Sequence, residues 1–165
     1  MNWNDLYDEH GQALLLYARQ WCGSMADAEE AVQNAFVKVW KAYEKDPSKI
    51  TAPSRYLYRS VKNAAIDLSR MSVRRYKRET EAAGFQDQYE EWFHNENDST
   101  QNEELSVALK QLPEEQREVI ILKIWGKLTF KDIAEELGES QNTVASRYRY
   151  GLKHLSKMVS KGATA

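Results

Sequence analysis

Residues 127 to 155 read KLTFKDIAEELGESQNTVASRYRYGLKHL, and few folds accommodate that order. Thr129 and Asp132 form a capping signal for one helix, with Ile133, Ala134 and Leu137 on its inner side. Gly138 stands where a left-handed C-cap is wanted. Ser140 then caps a second helix in which Val144, Leu152 and Leu155 are expected to face inward. Ala134 is small enough for two helices to cross closely, and Val144 closes the corner between them. The spacing therefore predicts a helix-turn-helix. Its second helix opens with Gln141, Asn142, Thr143 and Ser146, followed by Arg147 and Arg149. Short polar groups ahead of arginines suit base edges and flanking phosphates in a DNA groove. A helical hairpin with a solvated outer face, in an ordinary all-α domain, would carry much of the same pattern.

A net charge of −2 looks wrong for a DNA binder, but the average hides a segregation. Arg55 to Arg78 contains eight basic residues against one acid, Asp67. Glu79 to Glu104 contains nine acids and no lysine or arginine, and Ser140 to Lys161 contains five basic residues and no acid. Charges are screened beyond about 8 Å at physiological salt, so a polyanion responds to the local patch and not to the sum. Either basic run alone would pass for a solvated helix face; two of them separated by an acidic stretch fit DNA better.

Sparse glycine and proline and long runs of helical period predict an all-α protein of two small helical domains joined by a flexible acidic linker. The first helix is expected over about Trp3 to Trp21, on Leu6, Leu14, Leu15, Ala18 and Trp21. A second opens at Asp27, with Ala28, Val32, Phe36, Val39 and Tyr43 on one side. EKDPSKITAP is a loop by its prolines and charge, and a third helix starts near Pro53 and runs through Leu57, Val61, Ala65 and Leu68 into RRYKR. The domains expected are 1–78, then a linker over 79–104, then the helix-turn-helix domain over 105–165. Tyr89, Trp92 and Phe93 stand out in the linker, either as a docking segment or packed on a neighbouring domain. Only a short tail follows the last helix, so no fused regulatory domain is expected. Cys22 is the single cysteine, which excludes an internal disulfide, and no apolar run is long enough to span a bilayer. With no signal-peptide pattern, a cytoplasmic location without membrane insertion is expected.

Three segments together carry a family resemblance: ADAEEAVQNAFVKVWKAY, SRYLYRSVKNAAIDLSR, and LPEEQREVIILKIWGKLTFKDIAEELGESQNTVASRYRYGLKHL. The chain resembles a bacterial extracytoplasmic-function sigma factor of the sigma-70 family over nearly its whole length. The most specific part is the "LPxxxREV" opening followed by a helix-turn-helix ending in NTVASRYRYGL. The resemblance implies one domain on the polymerase clamp and the promoter −10 element, and another on the polymerase flap and the −35 element. The implied partners are core RNA polymerase, through its beta-prime clamp and beta flap, and promoter DNA. An anti-sigma factor is a further partner that the resemblance admits.

On that footing, Glu29, Glu30, Gln33, Asn34, Val37 and Trp40 of the second helix form the surface offered to the clamp. An exposed apolar residue beside hydrogen-bonding groups suits a protein interface, although Trp40 also reads as core. Asn34 departs from the family, which usually has an acid there. For the −10 element the candidates are Arg55, Tyr56, Tyr58, Arg59, Lys62, Asn63 and Arg70. Separated bases are held by aromatic stacking, and either tyrosine equally suits a core. Asn63, in the segment matching the family's "NxAID", is the candidate for a base edge, and the loop from Asp46 to Ala52 a candidate base pocket. For the −35 element the candidates are Ser140, Gln141, Asn142, Thr143, Ser146 and Arg147, with Arg149 and Lys153 on phosphates. Ala145 replaces a residue that is commonly basic in relatives. The acidic linker suits either a phosphate mimic in the polymerase cleft or an inert tether. Surplus apolar residues among Leu112, Val119, Ile120, Leu122 and Ile124 suit the flap.

Enzyme signatures are missing from the sequence. His10, His94 and His154 lie in unrelated segments, one cysteine gives no metal-ligand spacing, and there is no glycine-rich phosphate loop. No catalytic residue, metal or cofactor is expected. A DNA-binding regulator that works without polymerase is the main alternative; it leaves the basic third helix unexplained.

Overall fold

The computed structural model describes residues 1–83 and 107–163, in two units, Met1–Trp92 and Phe93–Ala165. Among the described residues every regular element is helical, as the sequence predicts.

In the first unit, α1 spans Trp3–Ala18. The side chain of Asn2 accepts from the N–H groups of Asn4 and Asp5, matching orphan donors at the helix start. The helix stops short of Trp21 because the chain tightens there: the Gln20 and Trp21 N–H groups bond three residues back, and the Gln20 amide donates to the Leu16 carbonyl. α2 spans Met25–Lys45, and it is Ser24, not Asp27, that caps it, its hydroxyl accepting from the Asp27 N–H at 3.1 Å. Ala28, Ala31 and Ala35 form a buried small-residue strip in α2 with Val32 and Val39, which lets α3 approach closely. A 3-10 turn at Pro47–Lys49 follows, anchored by buried Ile50 and by Asp46, whose carboxylate accepts from the Ser48 N–H.

α3 spans Pro53–Ala83, past the boundary expected at Arg78. It packs chiefly on α2 and also on α1. The core of the unit is Leu14, Tyr17 and Ala18 of α1, the α2 strip, and Leu57, Tyr58, Val61 and Ala65 of α3. Tyr17 meets both Trp21 and Tyr58 edge-on, with ring centres 4.8 and 5.6 Å apart. The expected acidic linker, with Tyr89, Trp92 and Phe93, lies outside the described residues apart from its start, which continues α3.

The second unit begins with a short helix, α4, over 107–111. α5 spans Glu114–Ile120 and runs into a π-helical turn, Ile121–Trp125. The π turn is closed by the Gly126 N–H bonding to the Ile121 carbonyl. Val119, Ile120, Ile121 and Leu122 are all fully buried, so this segment is the centre of its unit. Arg117 of the "LPxxxREV" motif donates to the Lys110 carbonyl and so ties α5 back to α4.

α6 spans Phe130–Leu137 and α7 spans Gln141–Ala163. The turn between them is the one read from the sequence. Thr129 accepts from the Asp132 N–H at 3.1 Å, Ile133 and Ala134 are buried, and Gly138 is left-handed at φ 68°. α7 departs from expectation at one position: Leu152 is 37% exposed, and Gly151 is buried in its place. The inner stripe is Val144, Tyr148, Gly151, Leu155 and Met158, the spacing of one helix face. A Cβ on Gly151 would lie 2.5 Å from Cδ1 of Ile120, so the glycine is what lets α7 lie on α5.

Candidate nucleic-acid and protein interfaces

The α3 candidates separate by helix face. Tyr56, Arg59, Asn63 and Arg70 fall on one outward stripe, at steps of three, four and seven residues. Tyr56 is 40% exposed there, and Asn63 and Arg59 are exposed beside it. Lys62 lies on the flank, its ammonium 5.2 Å above the Trp21 ring, and Arg55 is half-buried. Tyr58 is a correction. Its side chain has no exposed surface, and its hydroxyl is hydrogen-bonded to Nδ1 of His10 at 3.2 Å. Burial, with a smaller push from Glu9, raises its phenol far above the ordinary range, so it stays protonated. A ring closed off in this way offers no face to a base. Of the two tyrosines, only Tyr56 is presented.

The α7 candidates also divide. Ser140 spends its hydroxyl on the cap, accepting from the Thr143 N–H at 3.1 Å and lying 2.9 Å from the Thr143 hydroxyl. Gln141 is exposed at the tip of the helix, and Asn142, Ser146, Arg149 and Lys153 share the face opposite the buried stripe. The Arg149 guanidinium lies 5.7 Å from the Tyr150 ring. Arg147 turns toward the body of the unit. Its guanidinium is 3.2 Å from the Glu139 carboxylate and 3.5 Å from that of Glu115. The residue expected to read a base is thus held in a bridge between the turn, α5 and α7. His154 adds a second tie, its Nδ1 hydrogen-bonded to the Gln116 amide at 2.9 Å.

All six clamp candidates are exposed on the face of α2 opposite its alanine strip. Val37 is half exposed and Trp40 is 46% exposed, so Trp40 is surface and not core. Ile124, expected among the surplus apolar residues, is exposed, whereas Leu112, Val119, Ile120 and Leu122 are buried.

Other features were not anticipated. A cleft of about 340 Å³ lies between the α1–α2 turn and the second half of α3, lined in part by Trp21, Asp27, Ser72 and Tyr76. Across it the Ser72 hydroxyl donates to the Asp27 carboxylate at 2.8 Å. Cys22 is buried, and burial, followed by the charge of Asp27, pushes its thiol up to about 12. Among the described residues no group of side chains is arranged to hold a metal, and no helix is long and apolar enough to cross a membrane.

Comparison with known proteins matches both units. Residues 6–79 match Sigma-70 region 2, and residues 102–155 match Sigma-70, region 4. The chain is 29% identical over 159 residues to the ECF RNA polymerase sigma factor SigL of Mycobacterium tuberculosis, covering 91% of this chain and 84% of that one. It is 30% identical over 140 residues to the ECF RNA polymerase sigma factor RpoE of Cereibacter sphaeroides, covering 84% of this chain and 76% of that one. Among solved structures, the sigma factor RpoE from Bartonella quintana, in complex with the anti-sigma factor NepR, has a similar fold. Its TM-score is 0.65 at 21% identity, over 94% of this chain and 97% of that one. CnrH in complex with the cytosolic domain of CnrY gives 0.62 at 23% identity, over 96% and 88%.

Proposed function

The chain belongs to the extracytoplasmic-function group of the sigma-70 family, and on that premise we propose which of its surfaces meet the polymerase and the promoter. As a sigma factor it binds core RNA polymerase and promoter DNA and directs where transcription starts. A regulator acting on DNA without polymerase is not favoured. In our reading, residues 1–78 engage the clamp and the −10 element, 79–104 connect the two domains, with 79–83 continuing α3, and 105–165 engage the −35 element. The protein works in the cytoplasm and leaves catalysis to the polymerase.

The observation that carries this reading is the pairing, in one chain, of two DNA-competent helix faces in separate units. One is the outward stripe of α3, with a ring, an amide and arginines in line. The other is the outer face of α7 behind a left-handed glycine turn. On α3, Tyr56 stacks on an exposed base, Asn63 reads a base edge, and Arg59 and Arg70 hold phosphates. Lys62 and Arg55 flank that path. On α7, Gln141, Asn142 and Ser146 read the −35 element, while Arg149 and Lys153 neutralise phosphates. Ser140, Thr143 and Arg147 shape the helix start that presents them.

The exposed α2 face, with Val37 and Trp40 amid Glu29, Glu30, Gln33 and Asn34, is the surface for the clamp. Of the apolar candidates Leu112, Val119, Ile120, Leu122 and Ile124, it is Ile124 that is exposed and offered to the flap. Because the Bartonella protein of similar fold was solved with an anti-sigma factor, an anti-sigma factor is proposed for this chain as well. The clamp face is tested by Gln33→Arg and Val37→Glu, both exposed positions. Each should weaken capture of core polymerase while leaving helical content intact. Unchanged capture by both would remove that face from the assembly.

A further inference from the structure

The cleft between the α1–α2 turn and the second half of α3 shares no lining residue with the surfaces assigned to polymerase or promoter. Its volume, about 340 Å³, is at the lower end of the range for small-molecule sites. Although α3 carries eight basic residues from Arg55 to Arg78, none of them lines it. The charged group that does is Asp27. The Ser72 hydroxyl donates to Oδ2 of that carboxylate at 2.8 Å. Among the described residues no cation pairs with Asp27 and no donor reaches its Oδ1. Cys22 adds no charge of its own to the wall, because burial and then Asp27 hold its thiol protonated up to about 12. Two rings, Trp21 and Tyr76, complete the lining on either side. Tyr76 follows Ser72 by four residues, so it lies on the same face of α3 about 6 Å further on. The Lys62 ammonium, from outside the cleft lining, already stands 5.2 Å above the Trp21 ring.

We propose that this cleft binds one guanidinium group, with the Asp27 carboxylate accepting its N–H donors and the Tyr76 ring packed against its plane. The occupant follows from the charge and the spacing. An anion meets a carboxylate with no lining cation to offset it. An apolar group would leave Oδ1 of Asp27 desolvated and unmatched. A compact ammonium reaches the carboxylate or the ring, whereas a planar guanidinium forks onto the first and stacks on the second. The group belongs either to a small free guanidine or to an arginine side chain of a polypeptide; the recognising chemistry is the same.

The test is isothermal titration calorimetry on the full chain with n-butylguanidinium, its uncharged isostere n-butylurea, and the blocked tripeptide acetyl-Gly-Arg-Gly-amide. The expected result is saturable binding of butylguanidinium at one site per chain, with butylurea at least about tenfold weaker. Asp27→Asn, which keeps an acceptor for Ser72, should lower the affinity roughly ten- to a hundredfold, the worth of a hydrogen bond to a charged group. Tyr76→Leu should lower it about two- to fivefold. Asp8→Asn removes an exposed acid of α1 outside the cleft and should change nothing. A tripeptide bound at least about tenfold tighter than butylguanidinium makes a polypeptide arginine the source; equal or weaker binding makes it a free guanidine. If Asp27→Asn does not fold, the comparison of butylguanidinium with butylurea on the parent chain still decides. No saturable binding of either guanidinium compound at millimolar concentration overturns the proposal. So does equal affinity for butylurea, undiminished binding by folded Asp27→Asn, or an equal loss in Asp8→Asn.

Discussion

Tyr58 is the position at which burial and function separate most cleanly. Tyr58→Phe keeps the ring edge-on to Tyr17 but removes the hydroxyl that faces Nδ1 of His10, itself buried. Leaving a buried polar atom unmatched costs about 1–3 kcal/mol. For a helical unit of this size each 1 kcal/mol lowers the melting temperature by roughly 4–8 °C. Tyr58→Ala deletes the whole buried ring, at about 3–5 kcal/mol, a large share of the roughly 5–15 kcal/mol that holds a domain together. Tyr56→Ala removes an exposed ring and should stay within about 0.5 kcal/mol of the parent. The assay pairs thermal unfolding by circular dichroism with transcription on a duplex promoter and on one already unpaired across the −10 region. Tyr58 variants should lose activity on both templates in step with their loss of folded protein. Tyr56→Ala should melt normally, fail on the duplex, and recover in part on the unpaired template, where the unstacking cost has been removed. If Tyr58→Phe melts like the parent yet fails selectively on the duplex, the assignment of Tyr58 to the core is refuted.

Gly151→Ala places a methyl 2.5 Å from Cδ1 of fully buried Ile120, while the same change at Gly11 meets only Tyr7 ring atoms at 3.6 Å and beyond. Both gain about 1 kcal/mol of helix propensity. Overpacking of about 1–3 kcal/mol should nevertheless leave the Gly151 variant less stable than the Gly11 variant, and the reverse order in thermal melts would contradict the packing of α7 on α5. Arg147→Ala breaks exposed ion pairs to Glu139 and Glu115, so it should weaken −35 duplex binding by no more than about 1 kcal/mol and equally for all sequences. Loss of preference at one base position, measured by competition, would return Arg147 to the base readers. Because the folded chain holds Cys22 protonated up to about 12, its contribution to stability is fully present below the thiol's ordinary 9.0. That contribution is lost as pH rises through the interval between them. Cys22→Ser should flatten this alkaline fall in denaturant unfolding; an unchanged pH profile would count against a buried thiol.

The turn at Gly138 was legible because each of its parts is local: a cap, a left-handed glycine and a second cap lie within one short stretch. The face of α2 was legible for a similar reason, since strict helical period left Glu29, Gln33, Val37 and Trp40 opposite the alanines. What escaped was decided by partners distant in sequence. Tyr58 shares a face with Val61 and Ala65, a hint of burial, but only the approach of His10 from α1 closes its hydroxyl off. Gly151 gives no apolar signal, so the inner stripe of α7 read as though it passed through Leu152. Arg147 looked free because Glu115 precedes it by more than thirty residues and the bridge forms only when α7 lies on α5. The end of α3 was misplaced for another reason. Charged residues without apolar period look like a linker, yet Ser72 on Asp27 braces the helix as it leaves the core.

The most direct test of the central claim is transcription in vitro by core polymerase reconstituted with this chain on a library of genomic fragments, with the start sites sequenced. Start sites that share a −35 and a −10 element at fixed spacing, and that vanish when the chain is omitted, are the predicted result. DNA binding that needs no polymerase, with start sites unchanged by adding the chain, would contradict it.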